Sequence, residues 1–251
     1  MGFEFGSFRT DSLPGCTATL SAWPSPALKP EMIETPDGAF YARTSIGPIT
    51  FSFDVLVMAA TPSAVHTLRD QFVAGCHPEG GLQALTPDSG EGWFWWATLS
   101  NITAFERGLW VPGANCQLRG GAHFTAPDGV GWARPDETAS GATSATITRT
   151  KGNLGSFPRI EVRGTFTRVT VTVGGQPITI STPVAAGQKL VLDYNLLDFA
   201  VYSETGTKLR HVAEKMSTLR RISLPLGSTP VTTTTEGTVT AVSVEANSRK
   251  G

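Results

Sequence analysis

Apolar and polar residues alternate strictly from Gly164 to Ser181, with Val169, Val171 and Val173 at one set of positions and Arg168, Thr170 and Thr172 at the other. A period of two puts these sets on opposite faces of an extended ribbon. Gly174-Gly175 supplies the positive φ angles of a tight primed turn, so the stretch predicts a β-hairpin with one buried and one wet face. The same alternation runs through Ile49, Phe51, Phe53, Val55 and Val57, and predicts a strand over 49–58. Then the period changes. After Thr61-Pro62, an N-cap followed by proline at the first helical position, Val65, Leu68, Phe72 and Val73 fall at helical spacing, which predicts one helix over about residues 61–75 closed by Gly75. Pro78, the Gly80-Gly81 pair and Pro87 mark the loops that follow.

Further strands are expected at Phe40–Arg43, Ala97–Leu109 and Asn115–Phe124. Residues 127–141 are rich in turn formers and lack periodicity, as a domain boundary does, and the junction is placed near residue 135. Beyond it about nine short strands are expected, among them Ala145–Thr150, Phe157–Val162, Thr165–Val173, Ile178–Thr182, Lys189–Asp193, Phe199–Ser203, Arg221–Leu224 and Thr238–Ala246. Short strands with frequent turns indicate a sandwich or barrel. Lys208–Leu219 fits either a brief helix or a hairpin. The expected fold class is therefore all-β with one short helix in the N-terminal half, in two domains, 1–135 and 136–251.

Charged residues make up only 16% of the 251-residue chain, against a usual share of about 25%, so the surface must be coated largely by Thr, Ser, Gly and Asn. Such a coat suits β-proteins and also subunits that bury much of their outside against neighbours. The formal net charge is −1, with no polybasic run beyond Arg249-Lys250, which argues against phosphate-driven nucleic-acid binding. No apolar run approaches the roughly 20 residues that span a bilayer, and the N-terminus lacks the basic and apolar regions of a signal peptide, so synthesis in the cytoplasm is expected, without a membrane partner. Cys16, Cys76 and Cys116 show no metal spacing; buried reduced thiols, or one disulfide and a spare thiol, both fit.

Catalytic motifs are missing from the sequence: there is no HExxH, GxSxG, Walker-type loop or GxGxxG opening a helix. His66, His77, His123 and His211 are scattered along it. Asp193 and Asp198 flank a turn and could converge as an acid pair, but Asp at a strand end ordinarily serves the turn by accepting from nearby backbone amides. Asn101-Ile-Thr103 is a glycosylation sequon without a secretory context. No enzyme activity, cofactor or metal is expected. The aromatic peak, Trp93-Phe-Trp-Trp96, fits a platform for stacking a sugar or base, or a strand shared between a core and a subunit contact.

Several segments resemble those of a known family, the distal tail proteins of phages with long non-contractile tails and the related minor tail proteins of phages that infect actinobacteria. Phe157-Pro-Arg-Ile-Glu-Val-Arg-Gly164 is similar to the family's opening strand of the second domain. Gly187-Gln-Lys-Leu-Val-Leu-Asp193 is similar to its Gly-x-x-Leu-x-Ile-Asp strand, and Leu224-Pro-Leu-Gly227 to its turn before the closing strands. In the first half, a strand, a helix of the Val65–Val73 kind and paired strands ending near Phe124-Thr-Ala-Pro-Asp128 follow the family's order. The resemblance implies an N-terminal β-domain that closes into a hexameric ring and a C-terminal galectin-like sandwich. It also implies a structural role at the virion's tail tip, joining the tube to the hub. The implied partners are other copies of the chain, the tail tube protein, the tail-tip hub protein and the tape measure protein. Trp93, Trp95, Trp96 and Trp110 are the candidate ring contacts. The alternative from another class is a carbohydrate-binding module, which would want a Trp beside polar groups on a concave sheet face.

Overall fold

A computed structural model describes the chain apart from Met1, Ala27, Pro36, Asp37, Pro78–Gly80 and Ser89–Glu91. It divides into two compact units, residues 1–131 and 132–250. The expectation of an all-β chain with one helix holds, the helix lying in the first unit.

The first unit contains β1 (Phe3–Phe5), β2 (Phe8–Arg9), β3 (Cys16–Leu20), β4 (Leu28–Thr35), β5 (Gly38–Ile46), β6 (Ile49–Ala59), α1 (Pro62–Cys76), β7 (Gln83–Pro87), β8 (Trp93–Ile102), β9 (Glu106–Val111) and β10 (Asn115–Ala126). The sheet runs β2-β1-β7-β8-β10-β6-β3, with β9 beside the first half of β10; β4 and β5 form a separate hairpin. Alternation along β6 does what the sequence promised, burying Ile49, Phe51, Phe53, Val55 and Val57. Their partners are aromatic. Phe3 lies 4.6 Å from Phe53 and 5.0 Å from Phe124, and Phe5 4.8 Å from Phe124, ring centroid to centroid, in the tilted and edge-on geometries that aromatic quadrupoles favour.

Helix α1 begins as its sequence dictates, with the Thr61 hydroxyl accepting from the Ala64 amide and proline in the first turn. Its end differs from expectation. Gly75 lies inside the last turn and the helix continues to Cys76; a Cβ on Gly75 would stand 2.2 Å from the Phe8 ring, so this glycine admits a neighbouring aromatic. Val65, Phe72 and Cys76 point inward. Of the expected loop markers, Pro78 and Gly80 fall outside the described residues, and Pro87 is the last residue of β7, opposite Phe3.

The chain then continues through β11 (Gly131–Ala133), β12 (Thr138–Gly141), β13 (Ser144–Arg149), β14 (Arg159–Val173), β15 (Gln176–Ile180), β16 (Gln188–Asp193), β17 (Asp198–Ser203), β18 (Lys208–His211), β19 (Gly227–Glu245) and β20 (Arg249–Lys250), the last pairing with β11. The strands expected at Phe157–Val162 and Thr165–Val173 are one strand of 15 residues, and the closing strand is 19 residues long. Both are bent. The register between β14 and β19 slips at Arg163/Gly164 and again at Phe166/Arg168. Gly164, opposite Val239, and Gly237, opposite Phe166, lie there with φ of 151° and 136°; a Cβ on Gly164 would lie 2.1 Å from the Thr238 carbonyl oxygen, and one on Gly237 2.4 Å from that of Thr165. A bulge sharpens bend and twist, and glycine alone tolerates this backbone and this approach.

Beyond the bend the two strands exchange neighbours. One half forms β12-β19-β14-β16-β17-β18 and the other β13-β19-β14-β15. A single aliphatic core joins Ile160, Val162, Leu190 and Leu192 from the first half to Val169, Val171, Ile178 and Val231 from the second. The Gly174-Gly175 turn has both φ positive, at 55° and 83°, as its sequence required. The undecided 208–219 segment resolves into β18, paired with β17, and one 3-10 turn at Ala213–Lys215. Arg221–Leu224 forms no strand; only a single bridge joins Leu224 to Ser156.

Candidate assembly surfaces

The four candidate tryptophans do not share one surface. Alternation along β8 turns Trp95 inward, where it is only 4% exposed and packs 4.9 Å from Phe51 and 5.9 Å from Trp23. Trp93 and Trp110 are half-buried against the same core. Trp110 lies on β9, with the Arg107 guanidinium 4.6 Å above its ring and His66 beside it. Trp96 is different: it is 42% exposed and meets Phe94 edge-on at 5.5 Å. Trp23, absent from the sequence-based candidates, is also exposed.

Edge strands offer a second kind of surface. In the patch β9-β10-β6-β3, β9 pairs only with β10 and β3 only with β6 among the described residues. Unpaired edges present amides and carbonyls ready to extend a sheet. On β9 the exposed Leu109 and Val111 flank that edge. The solvent face of the same patch is lined with hydroxyls: Thr50 and Thr125 are 3.3 Å apart, Ser52 meets the His123 ring at 2.9 Å, and Ser21 donates to Asp54 at 3.0 Å.

The second unit has a face of opposite character. Arg159, Glu161 and Arg163 on β14, Lys189 on β16 and Glu204 just past β17 pair among themselves. Lys189 reaches Glu161 at 3.0 Å, Arg159 reaches it at 2.5 Å, and Arg163 reaches Glu204 at 2.8 Å. Burial alone would raise the Glu161 carboxyl, but the Lys189 hydrogen bond and the charges of Arg159, Lys189 and Arg163 outweigh it and hold the group below its ordinary value. Asp198 behaves likewise: burial opposes ionisation, and hydrogen bonds from Lys208 and Tyr202, each 2.6 Å long, overcome it. Asp193 serves its turn, accepting from the amides of Asn195 and Leu196 at 2.9 and 2.8 Å. Asp193 and Asp198 are cross-strand partners with separate duties, one capping its turn and the other bonding Tyr202 and Lys208. No group of three or more metal-ligating side chains occurs among the described residues. The face carries no Trp, and its one large aromatic, Tyr202, has its hydroxyl committed to Asp198.

The turn that Asp193 organises carries a feature the sequence reading missed. Leu196 is 73% exposed and Leu197 57% exposed, and Leu197 has φ of +55°. A left-handed backbone costs an L-residue with a Cβ about 1–2 kcal/mol, which glycine avoids. The signal available in the sequence was an apolar pair directly after Asp-Tyr-Asn, where a hairpin turn would use Gly or Asn. Arg221 ties the neighbouring loop to this turn by donating from Nε to the Tyr194 carbonyl at 3.2 Å. That loop exposes Leu219.

No family model matches the chain, and no curated protein matches it by sequence. Solved structures do match. The distal tail protein of phage SPP1, Dit (gp 19.1), described as a paradigm of the hub adsorption apparatus in phages infecting Gram-positive bacteria, aligns with a TM-score of 0.68 and 12% identity over 99% of this chain and 98% of its own. A chain of the phage p2 baseplate, in its activated conformation with strontium, aligns with a TM-score of 0.51 and 10% identity over 100% and 98%. Both units are included in each alignment, so this chain shares over its whole length the fold of a siphophage distal tail protein.

Proposed function

We propose that this chain is a structural protein of a phage tail tip, acting without catalysis. Its first unit joins other copies in a ring, six by the resemblance, that links the tail tube to the hub. The observation that carries the reading is the full-length match to the SPP1 protein. The geometry of the first unit supports it. The free edges β9 and β3 lie on opposite sides of the β9-β10-β6-β3 patch and, through three antiparallel pairings, run antiparallel to one another. Pairing β9 of one copy with β3 of the next would extend the same ladder, and contacts between two different patches close into rings. The hydroxyl-lined face would stay wet in such an assembly. The tube, hub and tape measure proteins are the partners this place in the tail implies, and the virion its location.

Native mass spectrometry with electron microscopy of the purified chain tests the reading, with a closed ring expected. Leu109→Lys/Val111→Lys would charge the β9 edge and leave monomers whose thermal stability is nearly unchanged. Trp96→Ala would weaken assembly by at least about 2 kcal/mol per interface if this tryptophan is a hot spot. Trp95→Ala would instead unfold the protomer. Rings that survive the double lysine variant would discard the β9 edge, and a wild-type chain that stays monomeric beside purified tube and hub proteins would discard the ring.

A further inference from the structure

We propose that the β16–β17 turn, with Leu196 and Leu197 at its tip, is an anchor for a second, different protein of the same particle, one presenting an apolar pocket with a carboxylate at its rim. The inference rests on the tail-tip reading for the partner's location. Leu196 is the most exposed large apolar side chain among the described residues, and Leu197 stands beside it in a backbone conformation that disfavours leucine. Neither side chain is spent on the core, so the fold gains nothing from leucine at 197 that glycine would not give more cheaply. The tip is also pre-organised. Two amides of the turn are held by Asp193, and the Tyr194 ring is buried and packs 5.1 Å from Phe199, so the leucines project from a rigid base. Rigid apolar groups bind with little ordering cost.

Charge narrows the partner. Asp193 and Asp198 are engaged within the turn and with Tyr202 and Lys208, while Arg220 on the adjoining loop makes no ion pair among the described residues. The complement of this surface is a concave apolar site with an acidic edge. Another copy of the chain fits poorly. The apolar-floored cleft of about 300 Å³ between residues 175–178 and 218–222 borders the same loop as the tip, whereas a closed ring needs its donating and accepting patches on different sides. A lipid surface fits poorly too, since two leucines without a basic cluster fall short of the two signals that stable anchoring takes.

The test uses particles assembled with the photo-cross-linker p-benzoylphenylalanine in place of Leu196. Irradiation is expected to join this position to one other virion protein, at residues lining an apolar pocket beside Asp or Glu. In a companion variant, Leu197→Gly, the purified chain should melt at the same temperature or about 2 °C higher. The yield of the partner in particles should nevertheless fall by about tenfold or more. A cross-link within the same chain or to a second copy, no cross-link, or binding of the tip to phosphatidylglycerol vesicles in its place would overturn the proposal. So would a lower melting temperature for Leu197→Gly, which would make the leucine a folding residue. Particles lacking the chain altogether would instead overturn the tail-tip reading and, with it, the assigned partner.

Discussion

The two units build β-cores from different materials. The first packs phenylalanines and a tryptophan against one helix; the second packs valine, isoleucine and leucine between halves of a sheet whose two long strands each carry a glycine at the register slip. Their surfaces differ in the same sense. One face of the second unit pairs its charged groups among themselves, across β14, β16 and the end of β17, and has little to gain from lateral neighbours there. The first leaves the outer edges of β9 and β3 unpaired among the described residues, and Trp96 half in water. Composition alone averaged these into one low-charge chain, whereas the structure gives the second unit a charge-paired face and the first an edge and a tryptophan open to neighbours.

The contrast can be attacked at its strongest point first. Phe124 is fully buried and touches Phe3, Phe5 and Phe53, so Phe124→Ala should cost the first unit about 3–5 kcal/mol. Tryptophan fluorescence is weighted towards this unit, because Trp23, Trp93, Trp95, Trp96 and Trp110 lie in it and only Trp132 lies in the other; an unchanged denaturation midpoint would show that its aromatic cluster is dispensable. Gly237→Ala should destabilise the second unit by about 3 kcal/mol, since a Cβ there meets the Thr165 carbonyl oxygen at 2.4 Å. Calorimetry should find the first unit's transition in place, and a joint shift would mean that the units melt together. Glu161→Gln strands Lys189 and should cost about 1.5 kcal/mol, again in the second unit.

The smallest effect is in pH. Glu161 and Asp198 are held below their unfolded values of 4.5 and 3.8, so their contribution is complete above those values and is lost as pH falls through the lower folded ones. Glu245, which burial and Asp136 raise, works the other way: its stabilising influence belongs to the protonated form and fades as pH rises through its folded value. A urea midpoint measured downward from pH 5 should therefore decline. A flat profile would show that the charged face contributes no net stability.

Much of this was legible in the chain because local pattern and tertiary role agreed. The 169–180 hairpin, the β6 alternation and the Thr61-Pro62 helix start each combine a period with its own punctuation. The two long strands were not legible, because Gly164 and Gly237 look like strand ends in a sequence and are bends in the fold. The Thr-rich run from 232 to 235 carries no apolar alternation, since its partners supply the core. Arg221–Leu224 shows the converse, a strand-like pattern that packs Ile222 and Leu224 from a loop. Among the candidate surface residues, tryptophan could be chosen by type, but only the facing of β8 separates Trp95 from Trp96. The leucine tip left one trace in the sequence, an apolar pair where a turn would use Gly or Asn, but the φ angle that gives the pair its meaning is visible only in the fold.

The three cysteines give the molecule a reporter of its own. Cys16, Cys76 and Cys116 are all buried free thiols, and all lie in the first unit. Burial pushes Cys16 up to about 11 and Cys76 higher still, so the reactive thiolate is scarce at neutral pH in the closed protein. Modification by a thiol reagent then proceeds at the rate at which this unit breathes open, and the other contributes no signal. Cys16, on the edge strand β3, would be the first thiol to react, and its protection on mixing subunits would time the closing of that edge.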